Sequence, residues 1–178
     1  MTGGETTVVA GIEIPSTDPA FLAVIFAVHI PLGLLCVGIG AIAMLSEKRR
    51  GRHSKFGTIY FWGLLALFVS STFLSLMRWA ENYHLFILGA MSFASAWAGR
   101  AALRRRWRGW VRLHITGMGL SYILMLVAFY VDNGKQLPVW KELPHFMYWA
   151  VPLAVGIPLI VRALLWHPLS RARISVSG

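Results

Sequence analysis

AFLAVIFAVHIPLGLLCVGIGAIAML (Ala20–Leu45), followed directly by SEKRRGRHSKF (Ser46–Phe56), decides how this chain folds. The first stretch holds no acid, lysine or arginine, and it exceeds the roughly 20 apolar residues a helix needs to cross about 30 Å of hydrocarbon. The second holds Lys48, Arg49, Arg50, Arg52 and Lys55 against the single acid Glu47. An apolar run that stops on a basic cluster reads as a membrane span with its cytoplasmic edge near Glu47.

Outward from that span, four more runs pass the same test: Gly57–Met77, Tyr83–Gly99, Leu113–Val131 and Phe146–Trp166. The run from Tyr83 is short. The last carries Pro152 and Pro158, which a membrane helix tolerates when its neighbours satisfy the freed carbonyls. The expected fold is an all-α integral membrane protein of five transmembrane helices, four in an up-down bundle with the fifth on its side. Its expected parts are a periplasmic segment (1–19), the transmembrane domain (20–166) and a basic cytoplasmic tail (167–178).

Composition supports this reading. Hydrophobic residues make up 57% of the 178 positions and charged residues 13%, whereas soluble domains run at about 45–50% and 25%. The one cysteine, Cys36, excludes an intrachain disulfide framework and a Cys-rich metal site. Glu5, Glu13 and Asp18 stand where a signal peptide would have its basic region, so the first run is expected to stay as an anchor.

The net charge of +10 and the pI near 10.7 could suggest nucleic acid, but the basic residues sit at the ends of apolar runs. Counted by alternate loops, one side has fourteen basic residues and one acid, the other three basic residues and six acids. The N-terminus is therefore expected outside and the C-terminus inside. Attraction to anionic lipid accounts for the basic face and no nucleic-acid partner is expected. Trp62, Trp79, Trp107, Trp110, Trp140, Trp149 and Trp166 fall near the expected interfaces, where aromatic belts belong.

Chemistry then rests on six histidines. His29 lies about one turn inside the outer edge of the first helix, and His84 lies at a similar depth in the third. His53 precedes the second helix and His114 opens the fourth, both near the inner edge. His145 and His167 flank the fifth helix. The layout is a doubled hairpin, each half with an outer His on one helix and, after a basic loop, an inner His at the foot of the next. An ionisable ring inside hydrocarbon is costly and marks a candidate functional site, His29 above all.

Bundle interiors hold cofactors between facing side chains. A bis-imidazole b-type haem would need His29 with His84, and His53 with His114, beside small residues. Gly33, Gly38, Gly40, Ser70, Ser71, Ser75, Ser92, Ala94, Ser95, Ala96, Gly117, Gly119 and Ser121 supply them. The same residues equally suit close helix packing. Arg78, Lys135, Arg52 and Arg112 are candidate partners for haem propionates, with topology as their competing role.

The histidines, together with Gly117-Met118-Gly119, Ser121-Tyr122, Ala128-Phe129-Tyr130, Asn133-Gly134, Leu137-Pro138, Leu143-Pro144, Tyr148-Trp149 and Gly156-Ile157-Pro158, carry a resemblance. Over Val28 to Trp166 the chain resembles the bacterial polytopic proteins of domain-of-unknown-function family 2306. That resemblance implies the fold, a bacterial inner-membrane location and recurring histidines at the positions of His29, His53, His84 and His114. It implies no activity. The two-plane layout is also similar in arrangement to the transmembrane di-haem b cytochromes.

Three function classes follow. The first is electron transfer through b-type haem, with a redox partner or quinone. The second is an outer zinc site on His29, His84 and His145 with an acid such as Glu81 or Asp132, although no HxxxH or HExxH spacing supports it. The third is a non-enzymatic membrane component, either an assembly or regulatory subunit or a small-solute permease in which His29 handles protons. Acids are missing from every helix interior, which weakens its proton-coupled form. Enzymatic activity, oligomeric state and substrate are not written in the chain.

Overall fold

A computed structural model describes residues 7–9, 12–14, 18–47 and 51–166, in two compact units, Met1–Phe86 and Ile87–Gly178. Among the described residues five helices are long and apolar enough to cross a membrane: Pro19–Leu45, Arg52–Met77, Trp79–Arg105, Trp110–Gln136 and Met147–Trp166. A short antiparallel pair precedes them, β1 (Thr7–Val9) with β2 (Ile12–Ile14), Thr7 opposite Ile14. This pair was not expected, although TVV and IEI are rich in the β-branched residues that favour strands.

The first span is divided. Helix α1 (Pro19–Val24) starts at the Asp18 cap, whose Oδ1 accepts from the amides of Ala20 at 2.7 Å and Phe21 at 3.3 Å. A π-helical turn, Ile25–His29, separates it from α2 (Ile30–Leu45). The cause is Pro31, which has no N–H for the Ala27 carbonyl. The backbone widens there, and the Ile30 amide reaches back five residues to Ile25 O.

In the first unit α2 lies antiparallel against α3 (Arg52–Met77). Contacts run in step along the pair. His53 Nδ1 meets Ala43 O at 2.8 Å, Cys36 Sγ lies 3.1 Å from where a Gly63 Cβ would be, His29 Nδ1 meets Ser70 Oγ at 3.0 Å, and Phe21 packs on Leu74. On the first span His29, Gly33, Cys36, Gly40 and Ala43 recur at three- and four-residue intervals, the spacing that keeps one stripe against a partner helix. Arg78 alone separates α3 from α4 (Trp79–Arg105), and its guanidinium pairs with Glu81 in the first turn of α4. Glu81 stands there beside the positive end of the helix dipole.

In the second unit α4 and α5 (Trp110–Asn133) meet backbone to backbone. A Cβ on Gly117 would sit 2.6 Å from Ser95 O and 2.8 Å from Gly99 Cα, and Ser92 Oγ donates to Ser121 O at 2.7 Å. Small residues permit this approach, and the hydroxyl bond closes it, as in many apolar helix pairs. Helix α6 (Met147–Trp166) packs on α5 by exchange: Ile160 fills the space beside Gly119, and Ile123 the space beside Gly156. Leu88, Ile123, Leu124 and Val127 form the core of this unit.

The helices extend past the runs read from hydropathy. The second begins five residues earlier, placing His53 in its first turn, and the third extends at both ends through Glu81 and Arg104. Hydropathy marks only the hydrocarbon-length part of a helix, and the charged ends are helical too. The outward faces are apolar, with Leu34, Leu76 and Val155 among the exposed residues.

Candidate functional site around His29

His29 closes the π-helical turn and faces α3, half-buried. Its Nδ1 lies 3.0 Å from Ser70 Oγ, and Ser70 Oγ donates to Leu67 O at 2.8 Å. Among the described residues this is the only hydrogen bond of the His29 ring. Beside it, Ser71 Oγ is buried with no hydrogen-bond partner among them. One turn along α2, a Cβ on Gly33 would meet nothing nearer than Leu67 Cδ1 at 4.0 Å.

His84 sits in the second turn of α4, half-buried, with Tyr83 edge-on at 5.7 Å between ring centroids. Two ties fix its level against α3. Ser75 Oγ donates to Asn82 O at 3.4 Å, and the rings of Phe68 and Phe86 lie 5.9 Å apart. Between these ties His84 is level with residues 70–73 of α3, the turn that holds His29. These ties set the backbone level of position 84; the His84 ring itself contacts Tyr83. Arg78, a candidate propionate partner, is held by Glu81 at the nearby end of α3.

The other histidines are placed differently. His53, in the first unit, bonds through Nδ1 to Ala43 O. Ala43 lies in the last turn of α2, so His53 adds a donor at that end of the helix. His114, in the second unit, approaches Gly99 O through Nδ1 at 3.2 Å, on the Gly99–Gly117 seam. Each is tied to a carbonyl of the preceding helix, Ala43 for His53 and Gly99 for His114, whereas the sequence reading paired the two with each other.

His145 precedes α6 and meets Tyr148 at 5.1 Å, joined to a cluster in which Tyr130 stacks on Trp140 at 3.8 Å. His167 lies outside the described residues. No group of three or more His, Cys, Asp and Glu that could hold a metal ion occurs among the described residues, so nothing gathers ligands for the zinc reading. The stripe of Ser92, Ser95, Gly99, Gly117 and Ser121 is used in packing, the second of the two roles it suggested.

Nothing in the sequence marks Ser70 as the partner of His29, 41 residues away. Pro31, two residues after His29, did signal an irregular helix at that place. Comparison with protein families, curated proteins and solved structures finds no match to this chain.

Proposed function

We propose that the chain is a multi-pass protein of the bacterial inner membrane that binds one b-type haem through His29 and His84 and passes electrons through it. The observation that carries this reading is the backbone register of α4 on α3, which brings position 84 near the level of Ser70, the residue that holds His29. The donor set fits. Cys36 is buried two turns away beside Gly63 and Glu81 is engaged by Arg78, so the ligands on offer at this level are imidazole nitrogens. Ser71 adds a buried hydroxyl with no hydrogen-bond partner among the described residues.

Haem held there would supply a one-electron carrier. The chain's own part is positioning and insulation. Ser70 orients His29. Phe68, Phe86 and Trp79 pack ring on ring at 5.6–5.9 Å at the same end of α3, which excludes water and lowers the local dielectric. Arg78 puts positive charge at the rim, steadied by Glu81.

The test is the colour of protein purified in mild detergent after expression with excess haem. A low-spin spectrum that sharpens on dithionite, lost in His29→Ala and in His84→Ala, supports the reading. Folded protein that stays colourless overturns it and leaves the non-enzymatic membrane component.

A further inference from the structure

We infer that Ser70 is a positioning residue for His29, holding the ring in the tautomer with hydrogen on Nδ1 and so presenting the Nε2 lone pair to a ligand. The deduction is a proton count. A serine hydroxyl has one hydrogen, and Ser70 gives it to Leu67 O at 2.8 Å. The 3.0 Å contact between Ser70 Oγ and His29 Nδ1 is then one in which the ring donates and the hydroxyl accepts. A neutral imidazole with hydrogen on Nδ1 keeps its lone pair on Nε2. Hydrogen on Nδ1 is the arrangement in which both contacts of Ser70 Oγ are hydrogen bonds; with hydrogen on Nε2 the hydroxyl would have to turn to Nδ1 and give up Leu67 O.

Ser70 is 6% exposed and belongs to the contact stripe of α3, so its hydroxyl cannot turn to bulk water instead. The same logic applies at His53 and His114. Their Nδ1 atoms face main-chain carbonyls, which only accept, so both rings also carry hydrogen on Nδ1. His29 is held by a side chain, so its restraint can be removed without touching the backbone.

The tautomer stands on this geometry by itself. Its consequence for a cofactor rests on the haem reading. A hydrogen bond from the far nitrogen orients a ligating imidazole and makes the ligating nitrogen more basic, and loss of such a partner typically costs about 10- to 100-fold in metal affinity. Removing Ser70 Oγ should weaken haem retention by that factor and raise the midpoint potential.

The experiment uses the full chain in detergent with ¹⁵N-labelled histidine, first without haem. The expected result is a His29 ring, assigned by its loss in His29→Ala, with hydrogen on Nδ1 alone. Ser70→Ala should turn it into a mixture of tautomers, and Ser70→Thr should keep it single. Ser70→Cys, similar in size but a poor acceptor, makes the same comparison should the alanine variant fold badly. Hydrogen found on Nε2 in the unaltered chain, or an unchanged tautomer in both Ser70→Ala and Ser70→Cys, overturns the role of Ser70.

The haem-loaded protein separates the two ideas. Single-tautomer but colourless protein defeats the haem reading and leaves Ser70 in place. Haem lost on removing either histidine, with affinity and potential indifferent to Ser70→Ala, defeats the positioning role and leaves the haem reading.

Discussion

Gly117 of α5 lies against Gly99 of α4 with no room between their backbones: a Cβ on Gly117 would stand 2.8 Å from Gly99 Cα and 2.6 Å from Ser95 O. The obstructing atoms are main chain, so relief requires the helices to part. Overpacking of this kind costs typically about 1–3 kcal/mol. Separation would also lengthen the Ser92–Ser121 bond, now 2.7 Å. Gly117→Ala should therefore lower the unfolding midpoint in mixed micelles by an amount in the upper part of that range. Gly38→Ala is the control: a Cβ there meets nothing within 4 Å, and alanine in a helix gains about 0.5–1 kcal/mol over glycine. Equal effects of the two substitutions would show that the seam is not what the geometry implies.

The contact of α5 with α6 makes a different prediction, because its obstructions are side chains. Ile160 reaches to 2.7 Å from a Cβ built on Gly119, and Ile123 closes on Gly156 in the same way. Gly156→Ala should destabilise by roughly 1–3 kcal/mol. Ile123→Ala should also destabilise, by leaving a cavity. Together the two should cost less than the sum of their separate costs, with a coupling of about 0.5–3 kcal/mol, since the alanine Cβ occupies space the isoleucine vacates. Additive costs would place the two residues out of contact.

These seams also show where the sequence was legible. Five spans could be read because charge punctuates hydrophobicity at the scale of the bilayer, and His53 and His114 sit at matching feet for the same reason. The rotation of each helix could not be read. Helices that are apolar all round carry no polarity mark of their buried face, so nothing in the chain said that His29 faces Ser70 rather than another residue of α3. Nor did it say whether Gly99 and Gly117 make room for a cofactor or for each other. The π-helical turn was half legible, since Pro31 announces a lost hydrogen bond but not how the backbone makes up for it. The expected pairing of His29 with His84 stays an expectation, since the ties between α3 and α4 run through Asn82 and Phe86.

His53 should matter to stability and not to colour. Its Nδ1–H donates to Ala43 O near the end of α2 at 2.8 Å. Removing a hydrogen bond of this type costs about 0.5–1.5 kcal/mol. His53→Ala should lower the unfolding midpoint accordingly, and His53→Asn, which restores a donor at shorter reach, should recover part of the loss. The visible spectrum assigned to His29 and His84 should be the same in all three proteins. Full stability in His53→Ala would remove the capping role, and loss of colour in a folded variant would tie His53 to the cofactor.

The sidedness of the first unit is the last expectation. Helix α3 runs from Arg52 to Met77, 26 residues, or about 39 Å at a rise of roughly 1.5 Å per residue, enough to cross the hydrocarbon with its ends in the interfaces. Five basic residues surround its N-terminal end, at 48–50, 52 and 55, whereas Glu81 balances Arg78 at the other. Retention of lysine and arginine on the cytoplasmic side then places Ser54 inside and Ala80 outside. Both positions are exposed, and Cys36, 1% exposed against Gly63, can be replaced by serine to leave no native thiol. In that background Ser54→Cys should react with a membrane-impermeant maleimide only after the cells are opened, and Ala80→Cys should react in intact cells. The reverse pattern would invert the topology, carrying the level of His29 and His84 to the cytoplasmic side, and equal labelling of both in intact cells would mean that α3 does not cross the membrane.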